Sequence, residues 1–439
     1  MLLLSDQDIL KIFVTMIVII FLLSGVSSAF SMNNEISGLK QVHLLYRHGD
    51  RTPCDIYPTD PYKDPSNWPV GFGQLTSEGK RMHFNLGQWL RQRYDGFLSY
   101  NYSEEEIYVR STDKDRTLMS AQSNLAGLYP PSGYWEWDSD LAWQPIPVHT
   151  LPMEMDKLLF NHHTECPRLD EKKKQLKSSS YMKSIYDDNK DLFDYISAHS
   201  GWSVKTVEKL DFIYDSLLVE TKNNKTLPEW TKSIFPGGRF EKLRNIAFLT
   251  DTFDQEMKRL QGGPFMHELV THYDAATATD NTREVSEKKV FMYSAHDTTI
   301  SYVLNTLGVY NGLAPPYASL VMFELMDKDG WKVKISYRND TTKVPYVLTI
   351  PGCQQLCPLN LFKQLTESVR PRDWSEECQV GQMDGIRSML SMERMDATTL
   401  LMVVWLVFCM VVAILLVLAL VVCWGWKNRA GRRGLYMRL

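Results

Sequence analysis

The stretch Gly38–Pro53, "GLKQVHLLYRHGDRTP", runs from an apolar segment with β-branched content directly into a histidine, His48, held between Arg47 and Arg51. Short apolar runs of this kind form buried strands, so the motif reads as a strand ending on a charged turn. Two further stretches repeat that order. "EEEIYVRSTDKDRTLMSAQSNLAGLY" has a strand at Ile107–Val109, then Arg110, a turn through Ser111, Thr112 and Asp113, and a helical pattern. "KKVFMYSAHDTTISYVLNTLGV" has a strand at Val290–Tyr293, then His296 and Asp297, with Thr298 or Thr299 capping a helix. Strand–turn–helix units build an open sheet whose ligands sit beyond the carboxyl ends of the strands. The expected fold is α/β, with a mostly parallel sheet and helices on both faces. Its three loops would converge on one pocket holding Arg47, His48, Arg51, Arg110, His296 and Asp297. Residues from roughly 143 to 259 differ in texture: Lys, Asp and aromatics at helical spacing, as in "DDNKDLFDYISAH", predict a smaller, mostly helical cap.

At 439 residues with 44% apolar content, the chain can bury a sizeable core in one large domain or two. A net charge of -4 gives no global attraction to nucleic acid. Any basic site must therefore be local. Lys11 precedes the apolar run "IFVTMIVIIFLLSGV", and small residues follow at Ser27 and Ala29, so residues 1–29 read as a signal peptide cleaved after Ala29. Leu400–Trp424, "LLMVVWLVFCMVVAILLVLALVVCW", carries no charge and can cross about 30 Å of hydrocarbon, so a transmembrane helix is expected over 399–424. Lys427, Arg429, Arg432, Arg433 and Arg438 follow it. The positive-inside rule then puts the tail, 425–439, in the cytosol and residues 30–398 in a lumen or outside the cell, as in a single-pass type I membrane protein.

Cys409 and Cys423 fall in the expected span, which leaves Cys54, Cys166, Cys353, Cys357 and Cys378 outside it, an odd number. Cys353 and Cys357 in "PGCQQLCP" have no second such pair to complete a zinc site, so a local disulfide is expected in an oxidising compartment. "NYS" at Asn101, "NKT" at Asn224 and "NDT" at Asn339 are glycosylation acceptors. In the tail, "GLYMRL" sets Tyr436 three residues before Leu439. Clathrin adaptors read such Tyr-x-x-hydrophobic segments as extended peptides, so an adaptor is an expected partner and the lysosomal or endosomal membrane, or the cell surface, the expected address.

Three guanidiniums around a histidine suit a doubly charged, multi-oxygen anion, because the arginine fork grips oxygens in pairs and keeps its charge. Phosphate is the natural candidate. The same cations favour the neutral, nucleophilic imidazole and stabilise a loose phosphoryl-transfer transition state. Asp297 stands ready as a general acid for the departing alcohol. Arginines supply the positive charge, so no metal and no cofactor are expected. "HELVTH" spaces His267 and His272 five apart, about 140° around a helix, unlike a zinc-protease helix. "HHTEC", His162–Cys166, has metal-ligand residue types, but Cys166 is expected in a disulfide. Neither a G-x-S-x-G elbow nor a P-loop occurs.

"LLYRHGDRTP" and "MYSAHDTT" resemble the two signatures of the histidine acid phosphatases. "YVRSTDKDRTLMSAQSNLAGLYPP", "WQPIPVHT", "RLQGGPF" and "VYNGLAPPYASL" are similar to the animal lysosomal and prostatic branch, and the resemblance runs from about Leu39 to Cys378. It implies His48 as a phosphohistidine nucleophile, Asp297 as proton donor, and Arg47, Arg51, Arg110 and His296 as phosphate ligands. The implied substrates are small-molecule or protein phosphate monoesters. It also implies the disulfides Cys353–Cys357 and Cys166–Cys378, with a third family bridge missing where Val219 and Leu320 stand. Cys54 remains an extra thiol. Members of the branch form homodimers, and "AWQPIPVHT" around Trp143 and His149 resembles their contact. Alternatives are a phytase or inositol-polyphosphate phosphatase, whose second motif reads HDTN or HAE, and a lysophosphatidic acid phosphatase. From other classes come a phosphoglycerate-mutase-like transferase, which is typically cytosolic, and a binding module that has lost the nucleophile or the acid.

Overall fold

The computed structural model describes residues 36–160, 164–278 and 288–380, with a few positions between 405 and 416. The signal peptide, most of the 399–424 span, and the tail with Tyr436 and Leu439 lie outside the described residues. Among those described, no helix is long and apolar enough to cross a membrane.

Strands β1 (Leu39–Arg47), β2 (Ile107–Ser111), β3 (Val290–Ala295), β4 (Leu320–Asp327), β5 (Trp331–Arg338) and β6 (Tyr346–Leu348) form one sheet in the order β2-β3-β1-β4-β5-β6, and β7 (Leu356–Pro358) pairs with β5. The β2–β3 and β3–β1 pairs are parallel. From β1 outward through β4, β5, β6 and β7 every pair is antiparallel. The sheet is thus mixed, and the expectation of a mostly parallel sheet is corrected. Connection length is the cause. Only residues 328–330 separate β4 from β5, and Asp329 and Gly330 take positive φ of 54° and 95° there. So short a link admits only an antiparallel neighbour, whereas a parallel one needs a crossover of a dozen residues or so.

Strand alternation distributes the apolar residues to two faces. Val42, Leu44 and Tyr46 of β1 pack with Leu86, Leu90, Leu125 and Leu128 from the helices Ser77–Arg93 and Asp115–Leu128. Leu45 faces the other way, into a cluster with Phe265, Leu269, Ile300 and Val303 from the helices Gly263–Ala276 and Asp297–Thr306. Helices therefore cover both faces. A third apolar cluster, including Leu169, Ile196, Leu210, Ile213, Leu217 and Phe240, is enclosed by the helices Pro167–Lys177, Lys190–Ser200, Val207–Lys222 and Gly238–Ala247. These helices fall within the stretch 143–259 where a helical cap is expected, and the first α-helix there starts at Pro167. Residues before it run beside β2, where His149 bridges Arg110.

Disulfides join Cys166 to Cys378 and Cys353 to Cys357. Cys54 is free and exposed. Val219 and Leu320 are both fully buried apolar residues. Asn224 is exposed, while Asn101 and Asn339 are half-buried.

One buried charge ties a helix to the sheet. Glu324 on β4 is 1% exposed. Arg93 Nη2 lies 3.0 Å from its Oε1, the Tyr94 hydroxyl donates to the same oxygen at 2.9 Å, and Lys334 Nζ is 3.6 Å from Oε2 across the β4–β5 pair. Truncating one member strands the others as unpaired buried charge. Glu324→Ala should therefore lose about 3–5 kcal/mol in denaturant unfolding, and Glu324→Gln less. An unchanged unfolding midpoint in Glu324→Ala would show that the cluster does not secure the helix.

Candidate active site

β1 and β3 pair with Arg47 opposite Ala295, so the next residue of each strand, His48 and His296, leaves the sheet side by side. Their ring centroids are 5.6 Å apart. The His48 N–H donates to the Ala295 carbonyl at 3.0 Å, and the Ala318 N–H donates to the His48 carbonyl at 3.2 Å, which braces the turn on both sides. Gly49 must be glycine here: a Cβ would sit 2.3 Å from the Gly79 carbonyl oxygen in the first turn of the helix Ser77–Arg93. Thr76, which caps that helix, grips the loop from the same side by donating its hydroxyl to Asp50 Oδ2 at 2.7 Å.

His48 is 2% exposed. Its Nδ1 lies 2.8 Å from the Gly49 carbonyl oxygen. A carbonyl can only accept, so Nδ1 carries the proton and Nε2 presents its lone pair. Burial first, then Arg116, Arg47, Arg51 and His296, pushes the imidazole well below its usual range. The ring is held neutral.

The cations are placed by different partners. Arg47 donates from Nη1 to the Pro315 carbonyl at 2.7 Å, pairs through Nη2 with Asp297 Oδ2 at 2.7 Å, and stands 4.2 Å over the Tyr317 ring. Arg51 pairs with Asp215 Oδ2 at 3.0 Å. Burial works to raise the Asp215 carboxyl, but Arg51, then Arg244 and Arg47, outweigh it and hold it below the usual range. Asp297 opens the helix Asp297–Thr306, and its Oδ1 accepts the Thr298 N–H at 2.8 Å. His296 Nε2 lies 3.0 Å from Thr112 Oγ1.

Of the six residues singled out in the sequence, the fold brings Arg47, His48, Arg51, His296 and Asp297 together and leaves Arg110 apart. β2 extends to Ser111, two residues beyond the expected end, so Arg110 lies within the strand, opposite Tyr293 and two places short of Ala295. Its Nη2 donates to the buried Asp156 at 2.5 Å, and it lines a separate cleft with His267, Glu268 and Trp374. Sequence reasoning missed Arg116. This residue lies in the first turn of the helix Asp115–Leu128 and is foremost among the charges acting on His48. Among the described residues it pairs with no carboxylate, and its Nε is buried without a partner. The available signal was position: an arginine opening the helix that follows β2.

Among the described residues, no group of three His, Cys, Asp or Glu side chains is arranged to hold a metal ion. His272 of "HELVTH" instead stacks on Phe291 at 4.0 Å. His162 of "HHTEC" lies outside the described residues.

A model of the histidine phosphatase superfamily, branch 2, matches residues 38–349. Prostatic acid phosphatase from Homo sapiens is 44% identical over 349 residues, which cover 77% of this chain and 88% of that protein. Lysosomal acid phosphatase from Homo sapiens is 41% identical over 364 residues, 82% of this chain and 84% of that protein. The solved structure of Hafnia alvei phytase in complex with tartrate aligns with a TM-score of 0.57 at 17% identity, covering 78% of this chain and 98% of that one. Citrobacter braakii phytase aligns with a TM-score of 0.56 at 17% identity, covering 78% of this chain and 100% of that one. At such identity the two phytases show a shared fold alone. The family match across most of the chain and the two acid phosphatase relatives lead to one assignment: the chain belongs to the histidine phosphatase superfamily, branch 2.

Proposed function

We propose that the chain is an acid phosphatase that hydrolyses phosphate monoesters through a phosphohistidine intermediate. One observation carries the reading: a buried, neutral His48 with Nε2 unprotonated, set among Arg47, Arg51 and Arg116, of which Arg116 pairs with no carboxylate among the described residues. A phosphate dianion supplies the missing negative charge, and the guanidiniums hold its non-bridging oxygens. Nε2 attacks phosphorus as the bond to the alcohol oxygen breaks, and Asp297 gives that oxygen its proton. Phosphate drawn between the arginines takes over the charge of Arg47 and frees the Asp297 carboxyl for this transfer. In the second half, the Asp297 carboxylate accepts a proton from water as the water oxygen attacks phosphorus and the imidazole departs. Inorganic phosphate leaves and Asp297 is again protonated.

The names of the relatives at 44% and 41% identity support acid phosphatase, while phytase names come only with fold-level likeness at 17% identity. The lysosomal relatives and the apolar stretch Leu400–Trp424 support a lumenal enzyme on a single membrane span. Tyr436 and Leu439 would then meet an adaptor in the cytosol, and Asn101, Asn224 and Asn339 would carry glycans. Exposed Tyr134, Trp137 and Leu141 beside Trp143 support a homodimer contact in that segment.

His48→Ala should lower turnover by ~10⁴-fold or more. Asp297→Asn should still form a phosphoenzyme from para-nitrophenyl phosphate, whose leaving group barely needs an acid, yet lose about 10²–10⁴-fold on alkyl phosphates. An active His48→Ala enzyme sinks the mechanism. For the arginines, Arg116→Ala should cost about 10²–10³ in kcat/KM, the scale of losing one donor to a transition-state anion, and Arg110→Ala less than about tenfold. The reverse order in steady-state kinetics would return the role to Arg110. The pH profile follows from the two groups. Attack needs neutral His48, whose depressed pKa keeps it neutral as pH falls below 6.5, and departure needs protonated Asp297. kcat/KM should therefore peak on the acid side of neutrality, and an optimum above about pH 8 contradicts the assignment.

A further inference from the structure

A cleft of about 920 Å³ opens beside the phosphate pocket, with Glu78, Lys222, Tyr317, Arg338 and Asp340 in its walls, and the half-buried glycan acceptor Asn339 stands in the same wall, next to Arg338. Tyr317 is the shared wall. Its ring centroid lies 4.2 Å from Arg47 Cζ, 5.8 Å from the His48 ring centroid and 4.5 Å from Lys222 Nζ. An alcohol bonded to phosphorus at His48 therefore has this cleft within one ring's width.

The charges in the cleft are unevenly committed. Glu78 is taken by Arg81 at 2.8 Å and Asp340 by Lys343 at 3.0 Å. Lys222, the last residue of the helix Val207–Lys222, has no ion pair among the described residues. Neither has Arg338, the last residue of β5, although it is only 7% exposed. Its Nη2 reaches the Thr341 carbonyl at a long 3.5 Å, its guanidinium stacks 4.8 Å from the Trp89 ring, and its Nε is buried with no partner. A buried guanidinium without a carboxylate is costly unless an anion completes it.

We propose that this cleft is the leaving-group subsite, where Lys222 and Arg338 bind a second anionic group carried by the alcohol half of the substrate. The preferred substrates are then phosphate monoesters bearing a further carboxylate or phosphate. The proposal rests on the phosphohydrolase reading of His48 and adds the residues that set its selectivity.

Two matched pairs test it with the full chain. 3-Phosphoglycerate differs from glycerol 3-phosphate by a carboxylate in place of a hydroxymethyl group, and fructose 1,6-bisphosphate differs from fructose 6-phosphate by a second phosphate. Wild type should favour the charged member of at least one pair by about tenfold in kcat/KM, the scale of a hydrogen bond to a charged group. The pair that shows the preference identifies the anion. Lys222→Met and Arg338→Gln should each bring that ratio toward one through the KM of the charged member. If Arg338→Gln fails to fold, Lys222→Met at its exposed site carries the test alone. A wild-type enzyme that turns over para-nitrophenyl phosphate but shows no preference in either pair overturns the subsite and leaves the phosphatase reading intact. So does a preference that survives in the folded variants. Failure to turn over even the aryl phosphate overturns both readings.

Discussion

The parallel register that sets Arg47 against Ala295 is the constraint on which the site depends. Two strands ending in step deliver His48 and His296 as neighbours, and the residue after each, Gly49 or Asp297, begins the contact with a helix. Because β1 is buried on both faces, the strand end cannot shift without disturbing two apolar clusters at once. His48 thus inherits the rigidity of the sheet centre. A rigid, water-poor position matters because the charges around it act through a low effective dielectric, where a fixed guanidinium is worth far more than in water.

Gathering arginines in such a place is expensive, and the cap helps to offset the cost. The helix Val207–Lys222 carries Asp211 and Asp215 one turn apart on one face. Asp215 reaches Arg51, and Asp211 accepts from Arg244 Nε at 2.7 Å. The two carboxyls nonetheless fare differently. Burial pushes Asp211 up to about 6 against the pull of Arg244, with Asp215 and Asp297 adding to the rise, while Arg51 tips the balance the other way at Asp215. A helix of the cap therefore supplies the counter-charge for an arginine of the sheet. Arg116 pairs with no carboxylate among the described residues, which leaves its charge for the phosphate of the proposed reaction.

Much of the site was legible because its residues lie in unbroken strand–turn–helix runs, where position after a strand is a local property. His48, His296 and Asp297 follow strand ends directly, and Arg47 and Arg51 flank the first of them. Arg110 stands apart from the other five because β-branched and small residues do not mark where a strand stops: β2 runs on through Arg110 to Ser111, and Arg116, in the first turn of the following helix, is the arginine whose charge acts most on His48. The antiparallel half of the sheet rested on a hairpin through Asp329 and Gly330, a turn signal overlooked among charged residues. The pairing of Arg93 with Glu324 joins positions 231 residues apart, and no local pattern announces it.

The mixed sheet bears directly on selectivity. A wholly parallel sheet would point every strand's carboxyl end at one edge by construction; here two antiparallel steps, β1 to β4 and β4 to β5, achieve the same for β5. Tyr46 stands opposite Leu320, and Leu320 opposite Arg338, so the last residue of β5 shares a row with the residue just before the Arg47–His48 pair. Arg338 thereby reaches the catalytic edge of the sheet from a strand with no other part in the site. Lys222 arrives there from the cap, at the end of the same helix that balances Arg51 through Asp215. The residues proposed as catalytic belong to the parallel half and its crossover helices, whereas the cleft beside them is built from the antiparallel half and the cap. On the proposed reading, substitutions in the cleft retune the alcohol side of the substrate while the β1–β3 register that places His48 stays in place.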